Sequence, residues 1–430
     1  MAKNKYNTID LFAGCGGLMD GFMQEGAYNT LACVEWESFP CQTLAKRLKT
    51  RWKHKNADEE VIRFDIQRTE ELINGFDDAE YGKNPGLNKL IGNKKVDIVI
   101  GGPPCQAYSL AGRIRDPHGM KEDYRNYLFE SYIRILEHFK PSFFIFENVV
   151  GMLSAAPDGT PIVDKIRKAF DDAGYLVIDN FKNAVFDVAD FGIPQHRKRV
   201  IILGVRKDSV FKNVNEEGGI SSIINEFYSE IMPKLKNESK PRTVRDAISD
   251  LPVLMPTKDV IRTNGHKYSH APIESVGVFN HNPRFHSERD QKVFRLLGED
   301  LESGRKEYVS IDALKDLYTK VTGKKSNIHK YYVLRWDEQS NTIPAHLYKD
   351  GMRHIHPDPK QARSITVREA ARLQTFADDF EFLGPTMAQY KMIGNAVPSD
   401  FAKVIAKGLH ELLNKYICNK SHIKSYGRNK

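Results

Sequence analysis

The sequence predicts an α/β fold built on a doubly wound, mostly parallel sheet, joined to a smaller and irregular second domain. Three observations carry this. Short apolar runs of strand length recur through the first two hundred residues, several of them ending in a glycine turn or an acid. Segments of helical period separate these runs, and such connections imply right-handed crossovers between parallel strands. Beyond about residue 207 the pattern gives way to polar chain rich in His, Arg, Lys and Asn.

The first run, 8–12 (TIDLF), reads as a strand, and AGCGG leads from it into the apolar-periodic stretch 18–27. Strand, glycine-rich turn and helix bring a nucleotide-like ligand close to backbone, and a helix N-terminus favours a carboxylate or phosphate. Residues 31–34 form a second strand, ended by Glu35 and Trp36. An acid there is placed to accept from ribose hydroxyls, and a tryptophan offers a flat face to adenine. Taken alone, the pair fits a helix-start acid and a partly buried tryptophan equally well. Phe64-Asp65-Ile66 repeats the acid at a strand end. Residues 70–95 are polar and glycine-dotted and read as a surface insertion with one short helix.

The run 96–100 (VDIVI) is a buried strand, followed by Gly101-Gly102-Pro103-Pro104-Cys105-Gln106. Two glycines permit a sharp turn and two prolines stiffen the exit. The turn presents one cysteine at the carboxyl edge of the sheet, where ligands bind in open α/β folds. A thiol there is a candidate nucleophile, although an isolated Pro-Pro-Cys also fits a turn with a buried cysteine. The following 107–125 lacks periodicity and reads as a long loop able to close over a substrate, its Ser109 and arginines able to meet phosphates.

Residues 127–139 have helical period, and Pro141 ends it. The strand 142–146 leads to Glu147-Asn148-Val149, a second carboxylate at the same sheet edge. A helix over 162–173, a strand within 175–186, the turn 191–194, the basic stretch 195–199 (QHRKR) and the strand 200–205 follow. Residues 207–241 read as a linker and 243–362 as irregular, with strand-like fragments such as YYVLRW. Eight histidines lie between His266 and His356, but no cysteine lies between Cys105 and Cys418 and the spacing fits no common finger, so no metal is expected. Thr366 and Glu369 are spaced as a capping box for an amphipathic helix. Asn395-Ala396-Val397-Pro398 then precedes a last helix, 399–413. This divides the chain into 1–206 plus 386–430, and 207–385.

At 430 residues, 40% hydrophobic and 28% charged, the composition is that of an ordinary soluble protein. No apolar run nears the roughly 18 residues of a membrane span. The N-terminus carries no signal-peptide pattern, and five cysteines without paired spacing suit reduced thiols in a cytosol. A net charge of +8 suggests a polyanionic partner such as nucleic acid.

DLFAGCGG (10–17), EW (35–36), FDI (64–66), GGPPCQAYSLAG (101–112), ENV (147–149), QHRKR (195–199), TVREAARLQTF (366–376) and GNAVPS (394–399) occur in this order across nearly the whole chain. In this set the chain resembles the DNA (cytosine-5)-methyltransferases of prokaryotic restriction–modification systems. The segment between FDI and the cysteine turn is longer than in compact members. The resemblance implies a Rossmann-like, S-adenosyl-L-methionine-dependent catalytic domain and a smaller β-rich target recognition domain. Phe12, Gly14, Gly16, Gly17, Glu35, Trp36, Asp65, Ile66, Pro104, Leu128, Asn395 and Val397 would form the cofactor pocket. Cys105 matches the nucleophile, Glu147 the acid, and Arg197 and Arg199 the cytosine-ring contacts. Gln106, Ser109, Arg113 and Arg125 would meet DNA, with 107–125 as the lid and 243–362 as the reader of base sequence. The partner implied is double-stranded DNA, the expected state a monomer in the cytosol, and a cognate restriction endonuclease would act separately.

Three other readings compete. The RNA branch of the same family methylates tRNA, but the long basic segment 243–362 favours a duplex reader. A silent DNA-binding module would have an altered cysteine or acid, whereas Cys105, Glu147 and Arg199 are all present. An NAD-linked oxidoreductase would leave the PPCQ turn, ENV and QHRKR unexplained.

Overall fold

A computed structural model describes residues 5–104, 128–156, 159–209, 211, 219–237, 240–263, 265–271, 278–349 and 351–417. The chain divides into two compact units. One comprises Met1–Asp187, Lys198–Asn237 and Ser399–Lys430, and the other Val188–Arg197 and Glu238–Pro398.

The first unit is organised by a mixed sheet. Its strands are β1 (Tyr6–Leu11), β2 (Tyr28–Glu35), β3 (Val61–Arg63), β6 (Ile98–Gly101), β7 (Phe143–Val149), β8 (Tyr175–Leu176), β9 (Val185–Asp187) and β10 (Lys198–Arg206); β4 (Phe76–Asp78) and β5 (Gly82–Asn84) form a separate hairpin. The order is β3-β2-β1-β6-β7-β10-β8, with β9 paired to β10. From β3 to β7 all neighbours are parallel, and β10 runs antiparallel to β7. Parallel strands are covered on both faces and so read as continuous apolar runs. Phe143, Phe144, Ile145 and Phe146 of β7 are accordingly all fully buried. Helix Leu128–Phe139 lays Leu128, Tyr132 and Leu136 on the core, one turn apart. The Tyr132 hydroxyl lies 3.1 Å from the carbonyl oxygens of Val99 and Ile145. Helix Gly17–Glu25 packs on Ser399–Tyr416, and Gly21 admits this approach because a Cβ there would strike the Ala402 side chain and the Ser399 carbonyl.

The strand runs expected from sequence are present, with one instructive shift. β7 continues to Val149, so Glu147 belongs to the strand and pairs across to Ile201 of β10. Residues 70–95 hold more structure than one short helix. Helices Thr69–Asn74 and Gly86–Ile91 flank the β4–β5 hairpin.

The second unit holds a hairpin, β11 (Pro256–Thr263) with β12 (His266–His270). It also holds helices Glu288–Ser303, Ile311–Thr322, Val367–Leu373 and Thr386–Asn395. Val293, Phe294, Leu297, Leu317, Tyr331 and Ile355 make a small core. YYVLRW contributes an isolated bridge, Val333 to Ile355, rather than a strand. The capping box at Thr366 and Glu369 is present, and Arg363 forks onto both Glu369 oxygens at 2.7 Å. Burial pushes the Glu369 carboxyl up, but the charges of Arg363 and His356 outweigh it and hold the group well below the usual carboxylate range.

The division differs from the expected 1–206 plus 386–430 and 207–385: residues 207–237 fall in the first unit, and two flanking segments spend their backbone groups in the second. His196 N–H donates to the Ser340 carbonyl at 2.9 Å and Ser340 N–H to that of Pro194 at 3.0 Å. Gly394 lies against Pro344, where a Cβ would collide with backbone. Segments 188–197 and 386–398 therefore belong to the second unit.

Candidate active site

The chain runs β1, β2, β3 in one direction along the sheet and then returns to β6 and β7 on the other side of β1. The reversal opens a crevice beyond the carboxyl ends of β1 and β6, the place where ligands sit in such sheets. Phe12 leaves β1 with φ 56°, a left-handed conformation uncommon for an aromatic residue, and Gly14 and Gly16 follow at φ 55° and 94°. Gly17 then begins the helix. Within this tight turn Gly16 N–H donates to the Ala13 carbonyl at 2.9 Å.

Glu35, the last residue of β2, binds that turn. Its Oε2 accepts the Gly14 N–H at 2.9 Å, and its Oε1 accepts those of Trp36 and Glu37 at 2.8 Å each. Burial raises the carboxyl above its usual range, more than these donors lower it. Two lone pairs per oxygen leave one site on Oε2 for a further donor. Trp36 is 53% exposed. Beyond β3, Phe64 N–H donates to the Glu35 carbonyl at 3.1 Å, and Asp65 Oδ1 accepts from Gln67 N–H at 3.0 Å. The Ile66 side chain is committed to the core. Phe12, Gly14, Gly16, Gly17, Glu35, Trp36 and Asp65 thus gather at one sheet edge.

The next group stands at β6 and β7. Gly102 and Pro103 leave β6, and Pro104 is the last described residue before 105–127; Cys105, Gln106, Ser109, Arg113 and Arg125 lie outside the described residues. Glu147 Oε1 pairs with Arg199 Nε at 2.8 Å, the two side chains 13% and 12% exposed. The antiparallel register sets Arg199 opposite Val149, so the two groups reach diagonally toward each other. Two contributors were missed in the sequence reading. Gly102 leaves the room that Glu147 occupies, and Asn148 donates from Nδ2 to the Pro103 carbonyl at 3.3 Å. Both lie inside motifs already quoted, and their signal was the motif itself. Leu128, in helix Leu128–Phe139, is buried in the core.

The remaining predicted residues belong to the second unit. Asn395 is exposed at the end of helix Thr386–Asn395, and Val397 is buried. Arg197 is 1% exposed and donates to the carbonyls of Ile343 at 2.9 Å, Gly394 at 2.8 Å and Ala396 at 3.0 Å. The expected contact of Arg197 with a cytosine ring does not suit this burial, which makes it a brace of the backbone around Ala396. His270 and His281 are also structural in setting. Among the described residues no cluster could hold a metal ion, and His270 and His281 meet the carbonyls of Gln361 and Pro252.

The profile of C-5 cytosine-specific DNA methylases matches residues 6–411. The chain belongs to this family. As a member it is a DNA (cytosine-5)-methyltransferase. It is 34% identical to the type II methyltransferase M.Bpa9945I of Bacillus paralicheniformis, across 95% of this chain and 99% of that one. It is 30% identical to the type II methyltransferase M1.HphI of Haemophilus parahaemolyticus, across 93% and 86%. In fold the methyltransferase is similar to a crystal structure described as a DNA modification methyltransferase encoded within an E. coli prophage. That likeness has a TM-score of 0.62 at 23% identity, over 95% of this chain and all of that one. No helix among the described residues of the methyltransferase is long and apolar enough to cross a membrane.

Proposed function

We propose that this enzyme methylates C5 of a cytosine flipped out of a specific duplex DNA sequence, through a covalent Cys105–C6 adduct. The observation that carries the reading is the Glu147–Arg199 pair at the sheet edge from which Gly102 and Pro103 lead toward Cys105. Cytosine C5 is a poor nucleophile until a group adds at C6 and makes the ring an enamine. A thiolate suits that addition, but a free cysteine at neutral pH is only a few per cent ionised. Cationic and N–H neighbours are what lower a thiol's pKa. The adduct drives negative charge toward N3 and O2. Glu147, protonated or sharing a proton with N3, relieves it there, and Arg199 relieves it at O2. Because the two side chains already hold each other, they meet the ring with little reorganisation.

S-adenosyl-L-methionine, the donor that the family implies, would supply the sulfonium methyl that C5 attacks, and loss of the C5 proton then allows Cys105 to leave. The donor set fits this group. The open lone pair of Glu35 Oε2 would take a ribose hydroxyl, Trp36 the adenine face, and Asp65 with the Ile66 backbone the adenine edge. Phe12, the Gly14–Gly17 turn, Pro104 and Leu128 would complete the pocket. Arg197 is assigned to bracing rather than to the base. The second unit, above all 243–362, would read the sequence, and Gln106, Ser109, Arg113 and Arg125 would contact DNA near the flipped base. The enzyme would act as a monomer, with any cognate endonuclease separate.

Duplex containing 5-fluorocytosine cannot lose its C5 substituent, so it should trap a denaturation-resistant complex with the wild-type protein and none with Cys105→Ala. Trapping that survives the substitution would overturn the nucleophile assignment. Exchange of 243–362 for the matching segment of a relative should transfer that relative's target sequence. An active chimera with the original pattern would move recognition elsewhere.

A further inference from the structure

The β11–β12 hairpin of the second unit is fixed at its root and open toward its turn. Ser269 and His270 at the root are buried. Ser269 Oγ accepts the His286 N–H at 2.9 Å, His270 Nε2 lies 2.6 Å from the Gln361 carbonyl, and Ala271 N–H donates to the Met255 carbonyl at 3.3 Å. Exposure rises away from the root. Tyr268 is half-buried, and Arg262, Thr263, Gly265, His266 and Lys267 are exposed. Gly265 has φ 74°, and a Cβ there would meet nothing within 4 Å. The register settles which side chains share a face. Ile261 stands opposite Tyr268, Arg262 opposite Lys267 and Thr263 opposite His266. Directly opposed residues lie on the same side of a ribbon, and the side alternates from one residue to the next. The half-buried Ile261 and Tyr268 therefore share one face, and Arg262 and Lys267 project together from the other.

Like charges set directly opposite each other weaken a strand pair, and a two-stranded hairpin is marginal in water even without them. Among the described residues neither Arg262 nor Lys267 makes an ion pair. A polyanion relieves such a pair of cations, and DNA, the substrate class of this family, is one. The dimensions agree. β12 runs from His266 to His270, about 13 Å at roughly 3.3 Å per residue. The major groove is about 8.5 Å deep and admits a two-stranded ribbon. Arginine and lysine there pair best with O6 and N7 of guanine. We propose that the β11–β12 ribbon enters the major groove of the target duplex, with Arg262 and Lys267 as specificity-determining residues that read guanine. This rests on the reading that 243–362 recognises the target sequence.

The test uses the full chain expressed in cells without cytosine methylation, with the methylated sequence read by bisulfite sequencing of the genome. Arg262→Ala and Lys267→Ala should keep their melting temperature and their affinity for S-adenosylhomocysteine, since neither side chain belongs to the core or to the proposed cofactor pocket. Each should still methylate the wild-type sequence but admit other bases at one of its G·C pairs. Discrimination there should fall about 5- to 150-fold, the worth of one bidentate contact. On purified duplex, 7-deazaguanine at that pair removes only the N7 acceptor in the major groove. It should lower kcat/KM for the wild type and not for the variant that relaxed the pair. Binding that weakens equally on every sequence, with the methylated sequence unchanged, would overturn the reading of bases and leave the ribbon a phosphate contact. Unchanged sequence and affinity in both variants, beside an exchange of 243–362 that transfers the target, would overturn the ribbon's role and leave that of the segment standing. The two cations would then only guard an exposed sheet edge. An active exchange that keeps the original pattern would remove the segment's role, and the proposal with it.

Discussion

A Cβ on Gly102 would lie 2.5 Å from Glu147 Oε2. Real Cβ atoms do not approach oxygen so closely, so the turn after β6 and the acid of β7 share one space, and the acid has it. The obstacle is the far end of a flexible side chain, which can swing away at small cost in stability. Gly102→Ala should therefore change unfolding free energy by less than about 1 kcal/mol. It should lower kcat about 10- to 100-fold, since the displaced carboxylate no longer meets N3 of the base. Cofactor affinity should not change, and steady-state kinetics beside calorimetry would show the split.

Arg197 and Arg199 are two residues apart, and their substitutions should separate stability from catalysis. Arg197→Ala removes the hydrogen bonds that three backbone carbonyls accept from it inside the second unit, so it should cost about 3 kcal/mol or more in urea unfolding. Arg199→Ala should leave stability within about 1 kcal/mol and reduce kcat roughly 100- to 1,000-fold, as removal of a charge-stabilising donor does. Equal stability losses in the two variants would reject the division of roles.

Much of the sheet was legible because its strands are buried on both faces and read as unbroken apolar runs such as VDIVI and SFFIF. The site motifs were legible as strand-end acids and glycine turns. What escaped the reading has local causes and distant ones. Helices Glu288–Ser303 and Ile311–Thr322 carry their signals, with Ser287 and Ser310 as N-caps and Gly304 and Gly323 as left-handed C-caps. Their buried stripes are narrow, Leu317 alone on the second, and the charged residues around them read as irregular solvated chain. The attachment of 188–197 to the second unit had no local signal at all. It rests on partners such as Ser340, nearly 150 residues away. The inward placement of Arg197 has the same origin, since its acceptors at 343, 394 and 396 are distant in sequence.

Asn148 is 2% exposed, and its Nδ2 holds the Pro103 carbonyl two residues before Cys105. Its Oδ1 also accepts from Val149 N–H at 2.9 Å. Asn148→Asp retains the acceptor and removes the donor, so the strand end should persist while the cysteine turn loosens. The expected result is a roughly tenfold slower formation of the 5-fluorocytosine adduct with unchanged cofactor affinity. An unchanged trapping rate would show that the prolines alone hold the turn.

The buried histidines of the second unit predict how the protein loses stability in acid. Burial depresses all of them. His270 and His354 are lowered to about 4, and His286 and His356 to about 3. Arg363 adds to the depression of His270, His286 and His356. In the unfolded chain a histidine titrates near 6.5. As pH falls below that value the unfolded state takes up protons that the folded state refuses, so stability is full above about pH 7 and is lost progressively toward pH 4. His354 is the informative position, being 2% exposed and far in chemistry from the proposed site. Replacing it with leucine, similar in size and without charge, removes one of these refusals. His354→Leu should unfold in urea much like the wild type at pH 8, yet lose about 1–2 kcal/mol less between pH 8 and pH 5. Parallel losses in the two proteins over that range would mean that His354 is not held neutral by its burial.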